Sequence, residues 1–530
     1  MEATKTPVWS TARLVCLCSA LLGLWWGRPC WSEEASQARP AEPNGVAAAA
    51  SPLTINIEQA ILMAVENNAS LAVERATPEI LRTVVEEEKA AFEPVLTGEL
   101  APRRTVADRL SRAGSGIDRS TIVDSLTGAA GLSKPFATGT SVGLSGSMSY
   151  TDSSLYSDTF TSTRLGVTVT QALLRGLDLR ANLARVDQAR LDTRISEYEL
   201  RGFSEVLVEQ VESAFWDYAL AQRQIEIYTN SVTLAEQQLS ETQERIKIGR
   251  LAETELAAAQ AEVALRRENL INARSTLAQH RLTLLRLLNP AETIRWDADV
   301  VLEYQTTLLG DPLDPVDQHV QVALRMRPDL NQARLQIQRG DLEVVRTRNG
   351  LLPKLDLFID LGKSGYANTF GDAIEDLDGR SYDVTAGLQF EFAPSNRAAR
   401  ARHTRAKVTQ QQLRQSLDNL AQLVEVDVRS AYIEVERTRE QIAATSATRT
   451  FQEEKIRAET EKFRVGRSTS LLVAQAQRDL VASQIAEIQA VVNSLKALVG
   501  LYRLEGSLLE RRGVAAPGAE PVVLRTGRQP

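Results

Sequence analysis

The chain has 530 residues, room for about three ordinary globular domains, yet aromatic residues make up only 5 % of it, and Ala, Leu, Gln, Glu and Arg fill its long central stretches. That composition points to helical bundles or coiled coils. A net charge of −7 with interleaved signs provides no basic stripe, which argues against a nucleic-acid partner.

The N-terminus carries Lys5 and Arg13, then the apolar run Leu14–Gly27, then a polar stretch from Ser32. This is the pattern of a cleaved secretory signal, expected over residues 1–32, and it is shorter than the roughly 20 apolar residues of a spanning helix. The three cysteines, Cys16, Cys18 and Cys30, leave with it or lie at its edge, so disulfide chemistry is not expected in the exported chain. Residues 33–52 read as a flexible lead-in.

From there the sequence is written twice. Ala64, Leu71 and Pro94 recur as Ala323, Leu330 and Pro353 at a shift of 259 residues, and Ser213, Phe215, Gly249 and Arg286 recur as Ser430, Tyr432, Gly466 and Arg503 at a shift of 217. One supersecondary unit is therefore used twice, over 53–310 and 311–510, with an excess of 42 residues in the first copy after Pro94.

In the first copy, alternation over Val95–Leu100, Val142–Tyr150 and Leu165–Leu173 predicts strands within about 94–173, and the excess reads as an additional hairpin or a long strand-like loop turning at Gly139. No proline interrupts the chain between Pro135 and Pro290. Val211, Tyr218, Ile225, Val232, Leu239 and Ile246 fall every seven residues, followed by Gly249 and a return run of Leu256, Val263, Leu270, Leu277 and Leu284. This predicts a helical hairpin over about 178–289, far longer than a compact domain holds, with its tip at Gly249.

The second copy repeats the plan. Leu355, Leu357, Ile359 and Leu361, then Val384, Ala386, Leu388 and Phe390, alternate with polar neighbours and predict two strands within 353–393. A second hairpin is predicted over 395–504 with its tip at Gly466; its seam, Val428, Val435, Ile442, Ile456 and Phe463, is broken only by Arg449. Residues 511–530 read as an unpacked polar tail. The fold class expected from these residues is α+β, a duplicated repeat of long helical hairpins plus strand hairpins. If it enters a membrane it must do so as strands closed into a barrel, and two strand hairpins per chain are too few to close one alone.

This order, with the glycines of Ile246–Arg250 and Phe463–Arg467 and the segments Ala323–Leu330 and Leu352–Pro353, resembles the TolC-like outer-membrane efflux protein family over nearly all of the exported sequence. The resemblance implies a homotrimer in which each chain gives four strands to a 12-stranded outer-membrane β-barrel and its helices to a periplasmic α-helical tunnel. It also implies partners: outer-membrane lipid, a periplasmic adaptor docking at the helical tips and an inner-membrane pump. Carried onto this sequence, the adaptor-contacting tips are Gly249, Arg250, Gly466 and Arg467. The positions of the tunnel gate read Glu255, Phe463, Ser468, Leu472 and Gln475. Most of the family's charged gate network is thereby absent, and closure would rest on packing around Phe463 and Leu472.

His280, His319 and His403 lie far apart without ligand spacing, the four methionines are scattered, and no phosphate-cradling glycine loop occurs. No cofactor, metal or enzymatic activity is expected. The competing reading is an exported structural coiled-coil spacer of the cell envelope.

Overall fold

A computed structural model describes residues 53–110, 117–154, 158–249, 251–289, 296, 298–304 and 313–524. The expected signal and lead-in, the boundary at 310/311 and Arg250 lie outside the described residues.

The chain runs β1 (Leu53–Ile55), α1 (Ile57–Asn67), α2 (Ala69–Ala90), β2 (Val95–Leu110), β3 (Ile117–Pro135), β4 (Thr140–Ser153), β5 (Phe160–Ala172), α3 (Leu179–Asn182), α4 (Ala184–Lys247) and α5 (Thr254–Leu288). It continues as β6 (Val300–Leu302), α6 (Val316–Met326), α7 (Pro328–Asn349), β7 (Lys354–Ala367), α8 (Phe370–Glu375), β8 (Tyr382–Glu391), α9 (Arg397–Arg464), α10 (Ser470–Leu504) and α11 (Leu508–Arg511). Among the described residues no helix is long and apolar enough to cross a membrane.

Helices α4 and α9 have 64 and 68 residues, about 100 Å each at the α-helical rise. They carry the architecture because both pass through two levels. Next to the strands, the helices pack in the order α2, α4, α7, α9; toward the tips, α5 and α10 replace α2 and α7 to give α5, α4, α10, α9. Between the levels, β1 and β6 pair in parallel, and the largest core gathers Phe215, Trp216, Leu284 and Leu285 of the first copy with Leu508 of the second. Duplicated residues take matching places: Ala64 and Ala323, Leu71 and Leu330, and Val211 and Val428 are all buried. Asn56 starts α1 with a reciprocal capping box to Gln59, and Asn68 caps α2, satisfying amide groups that the first turns leave open.

The six long strands form one antiparallel sheet in the order β2-β3-β4-β5-β7-β8. Four of them come from the first copy, so the implied four strands per chain is corrected to six. The turn at Gly139, φ 78°, joins β3 to β4, and the 42-residue excess is spent on a complete strand hairpin. Strand α-carbons at one level run Leu96, Leu132, Leu144, Val167, Leu361 and Val384, an unbroken apolar row on one face. The next level, Thr97, Gly131, Ser145, Gly166, Gly362 and Asp383, belongs to the opposite, polar and small-residue face. At the far end of β7, α8 lies against β5 and β7, where the Thr163 hydroxyl donates to the Ala373 carbonyl at 2.6 Å.

The C-terminal segment corrects the expectation of an unpacked tail, at least to residue 524. The backbone amide of Val522 donates to Asn331 at 2.9 Å, Val522 is buried, Tyr198 donates to the Glu520 carbonyl, and Arg512 pairs with the buried Glu212 at 2.6 Å. Its polar residues find partners on α4 and α7, a cause invisible in local composition. Residues 525–530 lie outside the described residues.

Candidate functional site

Two regions carry the molecule's chemistry, the hairpin tips and the polar face of the sheet. At the first tip α4 stops at Lys247, and Gly249 takes φ 70°; at the second, α9 stops at Arg464 and Gly466 takes φ 76°. Positive φ is strained for any residue with a Cβ, and open space surrounds both glycines, so backbone conformation alone selects glycine there. The Arg467 amide closes the second turn onto the Lys462 carbonyl at 2.8 Å, and Thr469 caps α10. Gly249, Gly466 and Arg467 are exposed at the extremities of the hairpins.

Of the predicted gate positions, the fold brings Glu255 and Phe463 into contacts that join the two hairpins. The Ser470 hydroxyl donates to the Glu255 carboxylate, linking the starts of α5 and α10. The Arg245 guanidinium lies over the Phe463 ring, 4.9 Å from its centroid, linking α4 to α9. Ser468 donates to Glu459 at 2.8 Å and Lys462 pairs with the same carboxylate at 2.6 Å; these hydrogen bonds, from Lys462 first, hold Glu459 below the usual carboxylate range. Leu472 and Gln475 are exposed and stand apart from this cluster, while Val473 and Ala476 provide the buried packing. Sequence reasoning missed Arg245, Glu459 and Ser470. Glu459 sits four residues before Phe463, one helical turn, whereas Arg245 and Ser470 contact Phe463 and Glu255 across the two hairpins, and only packing brings those partners near. Between the hairpins runs a groove of about 980 Å³ lined by Arg245, Arg449, Phe463, Gln484 and Glu487 among others. Arg449, the break in the second seam, pairs with Glu487 at 2.6 Å and with Glu453 at 2.5 Å, so the charge that interrupts the apolar repeat is neutralised across α9 and α10.

On the polar face of the sheet, Arg164 of β5 reaches along two neighbours. Its guanidinium binds Asp360 of β7 and, at 2.6 Å, Asp383 of β8, while the Thr168 hydroxyl donates to Asp360 at 2.8 Å. The path crosses Gly362, where an added Cβ would stand 2.6 Å from an Arg164 nitrogen; glycine is required by close approach. The surrounding positions are Ser and Gly: Ser145, Ser147, Ser162 and Gly166. Such a face is wettable and low-walled. Behind it the Leu96 to Val384 row stays exposed, with Leu96 at 78 % and Val384 at 61 %, although a water-soluble sheet would cover it.

Charge is also buried between the helical levels. His319 pairs with Glu505, both fully enclosed, and Arg511 and Ser507 bind the same carboxylate. Arg201 lies between Glu205 and Glu510. Burial pushes the Glu205 carboxyl up to about 8, against the pull of Arg201. Burial also acts to raise Glu505, but the hydrogen bonds from His319 and Ser507 and the neighbouring charges outweigh it and hold that carboxyl low. Among the described residues no cluster of His, Cys, Asp and Glu is arranged to hold a metal ion.

Comparison with known proteins adds four findings. The family model for outer membrane efflux proteins matches residues 138–290 and 319–507. A pyoverdine export outer membrane protein of Pseudomonas putida, OpmQ, is 24 % identical over 337 residues, which cover 61 % of this chain and 65 % of that relative's length. The fold matches the CmeC outer membrane channel of Campylobacter jejuni with a TM-score of 0.63 at 13 % identity, over 85 % of this chain and 86 % of that one. It matches the outer membrane protein VceC of Vibrio cholerae with a TM-score of 0.62 at 13 % identity, over 85 % of this chain and 96 % of that one.

Proposed function

Because this chain belongs to the outer membrane efflux protein family, we propose that it forms the exit duct of a tripartite efflux or secretion system, anchored in the outer membrane by its strands and reaching into the periplasm with its helices. The observation that carries this reading is the sheet. It has one exposed apolar face, one polar face and two strand edges, β2 and β8, without partners among the described residues. Unpaired backbone is too costly in lipid, so copies of the chain close the ring edge to edge. The helices support the same closure. Of the outer helices, α2 exposes Val73 and Ile80, and α9 exposes Val426 and Ile433 farther from the strands, where α6 packs beside it; each pair falls at seven-residue spacing.

In this reading three copies assemble after removal of the N-terminal signal. A periplasmic adaptor meets the tips at Gly249, Arg250, Gly466 and Arg467, and an inner-membrane pump drives transport. The duct is passive and performs no chemistry; cargo is selected by pump and adaptor. The gate departs from a purely apolar plug. Its latch joins the two hairpins of one chain through Arg245 on Phe463 and Ser470 on Glu255, with Ser468, Leu472 and Gln475 lining the approach. Planar-bilayer recording of the purified chain, with its mass in detergent measured on the same sample, tests the proposal. Discrete conductance steps from a three-chain species are expected, with opening more frequent in Arg245→Ala. A soluble elongated species without insertion would instead restore the coiled-coil spacer.

A further inference from the structure

The hairpin β2–β3 stands out from the rest of the sheet. It begins directly after Pro94, within the span 94–184 where the two copies of the sequence lose register, and its length matches the excess of the first copy. The family model's first match begins at residue 138, past α1, α2 and this hairpin, whereas its second match takes in β7 and β8 without interruption. Both ends of the hairpin lie at the same end of the sheet, because β2 starts opposite the end of β3 and β3 passes to β4 through the short turn at Gly139. It is therefore an insertion that adds two strands and leaves the path of the chain otherwise unchanged.

These strands carry the same two-faced pattern as the others. Leu96 and Leu132 extend the apolar row of Leu144, Val167, Leu361 and Val384 without a step in level, and both are exposed. Opposite them, Thr97, Gly131 and Ser133 extend the small polar face. A soluble arm or an internal plug would have no reason to continue an outward apolar row.

The added strands also match a width. Four helices lie side by side beneath the sheet, and at interaxial distances of 8–10 Å they occupy about 32–40 Å of wall. Six strands spaced about 4.8 Å apart and tilted by about 40° occupy about 38 Å, whereas four would occupy about 25 Å.

From these observations we propose that β2–β3 is part of the membrane wall and widens the outlet: a duct of three chains closes with eighteen strands and holds a bore as wide as the helical wall below it. This rests on the duct reading above. The backbone diameter is then about 36 Å, against about 24 Å for the same chains without the hairpin. With Gly, Ser and Thr on its inner face, such an outlet passes solutes of protein-domain width, and the tip latch becomes the narrowest point of the path.

Imaging of the full-length exported chain in lipid nanodiscs, with the strands of the ring counted in cross-section, tests this. Eighteen are expected; twelve, with β2–β3 outside the wall, would overturn the inference while leaving the duct intact. Absence of any ring would remove the duct reading itself. Paired cysteines provide a second measurement that needs no deletion. Scanning cysteine at Leu96, Gly98 and Leu100 of β2 against Val384, Ala386 and Leu388 of β8 is expected to cross-link neighbouring chains up to the full ring. Cross-linking of β8 instead to Leu144→Cys of β4 would show that the hairpin stands out of the wall. Replacing residues 95–135 by a short Gly-Ser linker is expected to reduce the largest polymer that enters from the outer side by about one third in diameter. An unchanged cut-off in a conducting variant would count against the proposal.

Discussion

Glu205 shows how single side chains in this molecule acquire meaning only from their surroundings. It sits in an ordinary helical stretch of α4, yet it is buried beside Arg201, and its carboxyl is pushed up to about 8 by burial. Below its unfolded value of 4.5 the group is protonated in both states and contributes no pH dependence. Between 4.5 and about 8 the folded chain binds a proton that the unfolded chain has lost, so stability falls as pH rises through that window and levels off above it. Thermal melts of the detergent-held protein between pH 5 and 9 are expected to follow this slope, and Glu205→Gln to flatten it. Glu505 runs the opposite way, its lowered carboxyl lending stability above 4.5 that is lost in acid. The tip glycines were legible from sequence, because a helix stop between two heptad runs is a local demand. Arg245 and Ser470 were not, because their partners lie on other helices.

Among the elements, the strand pair β5–β7 joins the two copies of the repeat, and Arg164 is the charge that ties them to β8. The site is about one third exposed, so its contribution to stability is expected to stay at the level of a solvated ion pair, about 1 kcal/mol or less. In the proposed duct its effect is electrostatic: Arg164→Gln would leave Asp360 and Asp383 on the inner face without a cation, adding one net negative charge per chain. Reversal potentials in a salt gradient are expected to move toward cation selectivity, and Arg164→Lys to restore most of the original value; no shift in the Gln variant would place the cluster outside the bore. The alternation that defines β7 and β8 was visible in sequence. The length of β2 and β3 was not, because Gly98, Pro102, Gly128 and Gly131 dilute the alternation and only pairing with β4 completes it.

In the proposed duct, assembly depends on the edges of the single chain. On α9, Ile433 is 64 % exposed, and Val426 one heptad earlier is similarly uncovered, apolar surface at coiled-coil spacing that a neighbouring copy would cover. Each such side chain is worth about 1.5–3 kcal/mol when a neighbouring copy covers it. Ile433→Asp is therefore expected to lower the mass in detergent toward that of one chain while circular dichroism stays helical. A variant that remains fully assembled would place the interface elsewhere. The repeat, the long helices, their reversals and the two-faced strands all follow from the sequence, since each is set by periodicity or by backbone preference within a few turns of chain. The six-strand width of the wall, the packing of the C-terminal segment onto α4 and α7, and the partners of Arg245, Arg164 and Glu205 follow from the fold. They depend on which residues hundreds of positions apart come to share a surface, and no local pattern carries that information.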